Sequence, residues 1–136
     1  MPTQKSILLV DDHAILRDGL RSILEENQEF ELVAEAWDSK GALAKCKAAA
    51  PDLVLLDLSL PKEDGFKLLR EIKRRWPKIL VLVFTMHNNQ QHLQAAMEAG
   101  ADGYCLKDTP VEELLHALHL VCEGRKYISA PLLDGL

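Results

Sequence analysis

Acidic residues follow two short apolar runs in this chain, at the points where buried strands would end. Asp11 and Asp12 follow residues 7–10, and Asp57 follows residues 53–56. Unbroken apolar runs of this length are typical of strands covered on both faces of a parallel sheet. Because burying an unpaired charge is costly, we expect each carboxylate at the carboxyl end of its strand, where α/β sheets form their sites.

Two such strands lying side by side would bring three carboxylates to one edge, where their mutual repulsion calls for a cation. At about 4 Å and an effective dielectric constant near 20, each like-charge pair costs roughly 4 kcal/mol. Oxygen ligands in this number suit Mg²⁺, which takes one or two carboxylates, several waters and a phosphate oxygen. Asp11, Asp12 and Asp57 therefore predict a Mg²⁺ site that handles phosphate.

Thr85 and Lys107 end two later apolar segments and could complete the same site. Asp57 is the expected nucleophile, because a carboxylate oxygen can attack phosphorus and form an acyl phosphate. Lys107 could supply positive charge to the phosphate, and the Thr85 hydroxyl could donate a hydrogen bond to it. Taken singly, Asp57 could simply end a strand, Asp12 could cap a helix and Lys107 could form a weak surface ion pair.

The elements that must position these residues alternate regularly between strand and helix. The pattern predicts strands near 6–10, 31–36, 53–57, 79–84 and 104–106, with helices near 13–26, 40–49, 64–76, 89–100 and 110–124. Right-handed crossovers and central placement of the most apolar strands favour the order 2-1-3-4-5. We therefore predict a flavodoxin-like, doubly wound α/β fold with a five-stranded parallel sheet and helices on both faces.

Composition limits the function classes that remain. A chain of 136 residues is the size of one domain, and its net charge of -5 argues against nucleic-acid binding by this segment itself. Three cysteines without paired spacing indicate reduced thiols and a cytoplasmic protein. We see no signal peptide or membrane-spanning run, and so expect no membrane partner.

The same residues carry a resemblance to a known family. Residues 7–13, 57–65 and 100–108, together with Thr85, resemble the response-regulator receiver domain of two-component signalling, and the resemblance covers about residues 5–124. The Asp-Asp-His run at 11–13 and the Gly-Tyr-x-x-Lys-Asp segment look most like the NarL/FixJ subfamily. Members of that group usually carry a LuxR-type helix-turn-helix after the receiver.

This resemblance implies a signalling protein that catalyses only its own phosphorylation and dephosphorylation. A histidine kinase or a small phosphodonor would phosphorylate Asp57 with Mg²⁺, and the backbone carbonyl of Ser59 would complete the metal shell. Thr85 and Tyr104 would act as switch residues that remodel the surface formed by the fourth helix, fifth strand and fifth helix. A homodimer on phosphorylation is a further expectation of the family. The alternative for Tyr104 is a fixed core aromatic.

The resemblance also implies where the receiver domain ends and a linker begins. We expect the receiver domain at residues 1–124 and the start of a linker at 125–136, leading towards a helix-turn-helix DNA-binding domain. DNA would be contacted only through that further domain, and the output would be transcription.

Some positions depart from the family pattern. Met86 stands where a small residue is usual and could crowd access to Asp57, while Ser59 and His87 occupy positions that tend to tune dephosphorylation. The lifetime of the phosphoryl group is therefore left open.

Two alternatives use the same residues differently. A haloacid-dehalogenase-type phosphohydrolase needs a second acid two residues after the nucleophile to protonate the leaving group, and Ser59 occupies that place. A pseudo-receiver would act only as an interaction module, which the intact acidic set disfavours.

Overall fold

Strands and helices alternate along the whole of residues 4–133, which are the residues that the computed structural model describes. The elements are β1 (Lys5–Val10), α1 (Ala14–Glu25), β2 (Phe30–Ala36), α2 (Ser39–Ala49), β3 (Leu53–Leu56), α3 (Gly65–Arg75), β4 (Leu80–Thr85), α4 (Gln90–Glu98), β5 (Gly103–Leu106), α5 (Val111–Cys122), β6 (Tyr127–Ile128) and α6 (Ala130–Leu133). No helix in this range is long and apolar enough to cross a bilayer.

The strands form one parallel sheet in the order β2-β1-β3-β4-β5-β6. The flavodoxin-like fold and the predicted order of the first five strands are confirmed, but the predicted number of strands is wrong. A sixth strand pairs Tyr127 with Gly103 and Ile128 with Tyr104. It covers the β5 edge, whose backbone groups would otherwise lack ladder partners. Two residues are too short to show a periodic pattern in the sequence.

The core lies in two layers, one on each face of the sheet. On one face, α1 and α5 bury Leu20, Leu24, Leu114 and Leu118 against alternate residues of the central strands. On the other face, α2, α3 and α4 cover the remaining strand side chains. Because β1, β3 and β4 are buried from both sides, their continuous apolar runs are explained, and polar groups are confined to the strand ends.

A tight turn after β3 holds the loop that follows Asp57. Asp64 caps α3, since its carboxylate accepts hydrogen bonds from the backbone of Phe66 and Lys67. A Cβ atom on Gly65 would lie 2.3 Å from the Leu58 carbonyl oxygen, so only glycine permits this close approach. The first turn of α3 therefore fixes the backbone on which the site is built.

The segment after α5 packs onto the sheet. We use "C-terminal segment" for residues 127–133, which comprise β6, Ser129 and α6. Leu132 is buried in the same core layer as α4, and the Ser129 hydroxyl accepts a hydrogen bond from the backbone of Leu106 at 2.9 Å. Of the predicted linker, residues 134–136 lie outside the described residues, as do residues 1–3 of the predicted receiver. That the linker leads to a further domain stays a prediction.

Candidate functional site

Two acids occupy the buried ends of neighbouring strands. Asp57, after β3, is 2% exposed, and Asp11, after β1, is 1% exposed. The backbone N–H of Asp57 donates to the Val10 carbonyl at 2.9 Å, which fixes the two strand ends side by side. The sequence predicts that both acids lie at the carboxyl edge of the sheet, and in the structure they lie next to each other there.

Lys107 bridges the two buried carboxylates. Its Nζ lies 3.0 Å from Asp57 Oδ2 and 2.8 Å from Asp11 Oδ2. Asp11 Oδ2 accepts no hydrogen bond from the other described residues, so the ion pair with Lys107 is its main interaction. Burial acts to lower the pKa of Lys107, but its interactions with Asp11 and Asp57 outweigh burial, and the net pKa is raised. Lys107 is therefore a cation at any physiological pH.

Negative charge still exceeds positive charge at this edge. One ligand atom from each of Asp11, Asp12, His13 and Asp57 lies within 4.8 Å of the others. Asp12 Oδ1 is buried without a hydrogen-bond partner in the described chain, and its nearest basic atom is His13 Nδ1 at 3.4 Å. Because one ammonium cannot neutralise three carboxylates, this set of oxygens fits a divalent cation such as Mg²⁺.

His13 belongs to this cluster, although the sequence reasoning gave it no role there. Its Nδ1 lies 2.9 Å from Asp11 Oδ1, and the same oxygen accepts the His13 backbone N–H at 2.8 Å. The signal was present in the sequence, since His13 directly follows the two acids. These contacts hold the Asp11 carboxylate in a fixed orientation.

The loop after β3 orients the Asp57 carboxylate from the other side. The backbone N–H of Ser59 donates to Asp57 Oδ1 at 2.9 Å, so each oxygen of Asp57 has its own partner. The Ser59 hydroxyl lies 2.8 Å from Nε2 of His87. The predicted metal role of the Ser59 carbonyl stays a prediction.

The two predicted switch residues meet at His87. Thr85 is fully buried at the end of β4, and its Oγ1 accepts the His87 backbone N–H at 3.2 Å. Tyr104 is also fully buried, and its hydroxyl donates to the His87 carbonyl at 2.7 Å. Burial raises the pKa of Tyr104 to about 12, so the hydroxyl stays a donor. Met86 is 65% exposed, so little of its side chain can lie against Asp57.

The fold and the site define a flavodoxin-like α/β protein with a buried acid, a lysine and an acidic cluster that could hold a metal ion at the carboxyl edge of its sheet. The sequence model of the response regulator receiver domain matches residues 7–119. The chain belongs to this family of two-component signalling domains.

Individual relatives confirm the resemblance to NarL/FixJ-type regulators. The chain is 34% identical to the transcriptional regulatory protein DegU of Brevibacillus brevis, covering 96% of this chain and 55% of DegU. It is also 34% identical to the nitrate/nitrite response regulator NarL of Escherichia coli K12, covering 93% of this chain and 59% of NarL. The chain thus spans little more than half the length of these relatives.

A solved structure agrees closely with the fold. The crystal structure of a two-component response regulator of the LuxR family from Aurantimonas sp. SI85-9A1 superposes with a TM-score of 0.92 at 35% identity. The match covers 97% of this chain and 94% of that chain. The similarity therefore extends beyond the acidic edge to the architecture as a whole.

Proposed function

We propose that this receiver domain accepts a phosphoryl group on Asp57 from a sensor histidine kinase or a small phosphodonor. The observation that carries the proposal is the environment of Asp57. This buried carboxylate has one oxygen held by the Ser59 backbone N–H and the other by Lys107. It lies beside Asp11 and Asp12, where a phosphoryl group can meet both a cation and an ammonium.

The transfer is a single displacement at phosphorus. An oxygen of Asp57 forms the new bond to phosphorus, the bond from phosphorus to the donor's nitrogen or oxygen breaks, and the leaving group takes the electron pair. Lys107 moves from Asp57 Oδ2 to a phosphoryl oxygen and keeps its ion pair with Asp11. The Thr85 hydroxyl turns towards the phosphoryl group and donates a hydrogen bond to it.

Asp11, Asp12, Asp57 and the carbonyl of Ser59 would hold Mg²⁺ in this reaction. When bound, the ion offsets the negative charge that accumulates on the phosphoryl oxygens. The chain's own contribution is to orient the Asp11 carboxylate, which contacts His13 and Lys107. Hydrolysis of the acyl phosphate by water restores Asp57, so the domain acts on its own phosphoryl group and not on a separate metabolite.

The phosphohydrolase alternative is less well supported by the site. The exposed Ser59, whose hydroxyl contacts His87, stands where that mechanism needs a proton-donating acid. The match to the receiver-domain family also favours phosphoacceptor function over phosphohydrolase activity. Steady multiple turnover of an aryl phosphate ester would reverse this preference.

Intact mass spectrometry after incubation with acetyl phosphate and Mg²⁺ tests the proposal. We expect one added phosphoryl group per chain, and none in Asp57→Asn. Asp52→Asn is the matched control, since Asp52 precedes the same strand at its opposite end and accepts hydrogen bonds from Ser6. Equal phosphorylation of Asp57→Asn and the wild type would show that Asp57 is the wrong residue.

For the whole protein we propose transcription control through a C-terminal helix-turn-helix domain that follows residues 125–136. The support is the name of DegU as a transcriptional regulatory protein and the greater length of these relatives. The receiver would contact the kinase and, once phosphorylated, a second copy of itself, while the further domain would contact DNA. A phosphorylation-dependent doubling of the mass measured by light scattering tests the dimer.

We propose the cytoplasm as the location. The described chain contains three free cysteines, of which Cys46 and Cys105 are buried. Burial raises the pKa of both thiols to about 11, which keeps them protonated and unreactive. Thiols of this kind suit a reducing compartment, and cell fractionation tests the location.

A further inference from the structure

His87 joins more parts of the site than any other residue in the β4–α4 connection. Its backbone N–H donates to Thr85 and its carbonyl accepts from Tyr104, so both predicted switch residues hold it. Its ring nitrogen Nε2 lies 2.8 Å from the Ser59 hydroxyl, two residues beyond Asp57. A change at Asp57 that moves Thr85 or Ser59 must therefore act on His87.

The ring of His87 also reaches α4. It stacks on the ring of His92 with a centroid distance of 4.1 Å and an angle of 10° between the planes. His92 is held in turn by Asn89, the N-cap of α4, whose Oδ1 accepts the His92 backbone N–H and lies 2.8 Å from His92 Nδ1. We call His87 and His92 the imidazole pair. Burial, with a smaller contribution from His87, lowers the pKa of His92, which favours the neutral rings that can stack.

The first turn of α4 carries a second connection, to the C-terminal segment. Gln90 Nε2 donates to the Leu132 carbonyl at 2.6 Å. Leu132 is buried in the same core layer as Leu93 of α4 and Tyr104 of β5. Ser129 binds Tyr104 through the backbone, with its N–H donating to the Tyr104 carbonyl at 3.0 Å. The C-terminal segment is thus fixed to α4 and to a switch residue.

We propose that the imidazole pair couples the phosphorylation state of Asp57 to the docking of the C-terminal segment on α4. This inference rests on the proposed function. When the Thr85 hydroxyl turns to a phosphoryl oxygen, the His87 N–H loses its acceptor, and the phosphoryl group displaces the Ser59–His87 contact. The His87 ring then moves away from His92, the first turn of α4 shifts, and the Gln90–Leu132 hydrogen bond opens.

The direction of the coupling follows from which contacts compete. Movement of Thr85 Oγ1 towards a phosphoryl group at Asp57 would lengthen its 3.2 Å contact with the His87 backbone N–H. The unphosphorylated domain therefore holds the C-terminal segment docked, and the phosphorylated domain releases it. Whatever follows residue 133 would be presented differently in the two states.

Hydrogen exchange of the C-terminal segment, with and without acetyl phosphate and Mg²⁺, tests the coupling. Intact mass at the same time points reports the phosphorylated fraction. We expect exchange at Ser129 and Leu132 to rise about fivefold or more in the phosphorylated wild type, which is the effect of losing about one hydrogen bond. A fully phosphorylated wild type with unchanged exchange would overturn the coupling and leave the proposed function standing.

His92→Leu isolates the imidazole pair, because it removes the stacked ring and keeps an apolar side chain on α4. This variant should be phosphorylated as the wild type is, but its segment should exchange at the same rate with and without the donor. Gln91→Leu is the matched control, one residue away and exposed, and should respond as the wild type does. A full response in His92→Leu contradicts the proposal.

Gln90→Ala tests the hydrogen bond between Gln90 and the Leu132 carbonyl independently of the imidazole pair. It should raise exchange of the C-terminal segment about fivefold before any donor is added, since one hydrogen bond is lost. Slow exchange in unphosphorylated Gln90→Ala would show that Gln90 does not hold the segment. Failure of the wild type to take up phosphate would overturn both the coupling and the function on which it rests.

Discussion

Lysine and aspartate side chains meet at both ends of the parallel strands, but in different numbers. At the amino edge, where the strands begin, Lys73 Nζ lies 2.9 Å from Asp102 Oδ2, so that one cation faces one anion. At the carboxyl edge, Lys107 alone faces Asp11 and Asp57, with Asp12 close by. Both lysines lie near strand ends of a parallel sheet, so the difference between the edges is one of charge balance.

The amino edge is satisfied within the chain. Asp102 Oδ2 also accepts the Val81 backbone N–H at 2.9 Å, and Lys73 donates to the Ile79 carbonyl at 2.9 Å. These bonds tie α3 and the loop before β5 to the start of β4. Lys73 Nζ and Asp102 Oδ2 both have partners within the chain, so this arrangement stabilises the fold.

The carboxyl edge is left with an excess of negative charge, and the buried Asp12 Oδ1 has no hydrogen-bond partner among residues 4–133. Such an arrangement lowers stability unless another cation binds. In this protein, the aspartate–lysine contact with unbalanced charge marks the candidate site, whereas the balanced one supports the fold.

The largest effect is expected from removing the ammonium that bridges the two buried acids of the carboxyl edge. Lys107→Met leaves two almost fully buried carboxylates facing each other, and should lower the free energy of unfolding by roughly 3 kcal/mol or more. Lys73→Met leaves one more exposed carboxylate that still accepts the Val81 N–H, and should cost roughly 1–2 kcal/mol. Urea unfolding measures both. Equal losses would mean that the two edges do not differ in charge balance.

Neutralising one acid at each edge should give opposite results. Asp102→Asn leaves the Lys73 ammonium without its anion and should lower stability by about 1–3 kcal/mol. Asp57→Asn removes a negative charge from the crowded edge and should leave stability unchanged or raise it. Thermal melts of the two variants in parallel measure this. Marked destabilisation by Asp57→Asn would show that its charge supports the fold.

Magnesium should stabilise only the edge with excess acid. At tenfold its dissociation constant, Mg²⁺ should add about 1.4 kcal/mol by mass action and raise the melting temperature. Asp12→Asn should reduce this shift, whereas the amino-edge variant Asp52→Asn should keep it. No shift in the wild type at millimolar Mg²⁺ would count against the acidic site.

Alkaline pH should lower stability, and part of that loss should come from the carboxyl edge. Burial raises the pKa of Tyr104 to about 12, and the pKa of Lys107 is raised as well. A pKa raised by folding gives stability that is complete below the unfolded pKa and lost as pH rises through the folded value. The stability contributed by Tyr104 should therefore fall between about pH 10 and pH 12, by about 1.4 kcal/mol at pH 11.

Tyr104→Phe separates the contribution of Tyr104 to the alkaline loss of stability from that of Lys107. It removes the ionisable hydroxyl that donates to His87, and should show a shallower loss between pH 10 and pH 12 than the wild type. Identical profiles would assign the alkaline loss to Lys107 or to other groups.

Local patterns were sufficient for most of the fold. The continuous apolar runs of β1, β3 and β4 gave buried parallel strands, and their order followed from crossover geometry. The sixth strand was missed because Tyr127 and Ile128 follow two charged residues and form no periodic run. Their pairing depends on the open edge of β5, which is a property of the assembled sheet.

The amino-acid sequence was enough to show which residue types end which strands, and from that to predict an acidic edge at Asp11, Asp12 and Asp57 that could hold a cation. It could do so because strand burial and the cost of isolated charge act over a few neighbouring residues. Only the tertiary structure decided that Lys107 bridges two acids and that Thr85, Tyr104 and Ser59 meet at His87. These contacts join residues from different loops, and their geometry depends on packing that no local pattern encodes.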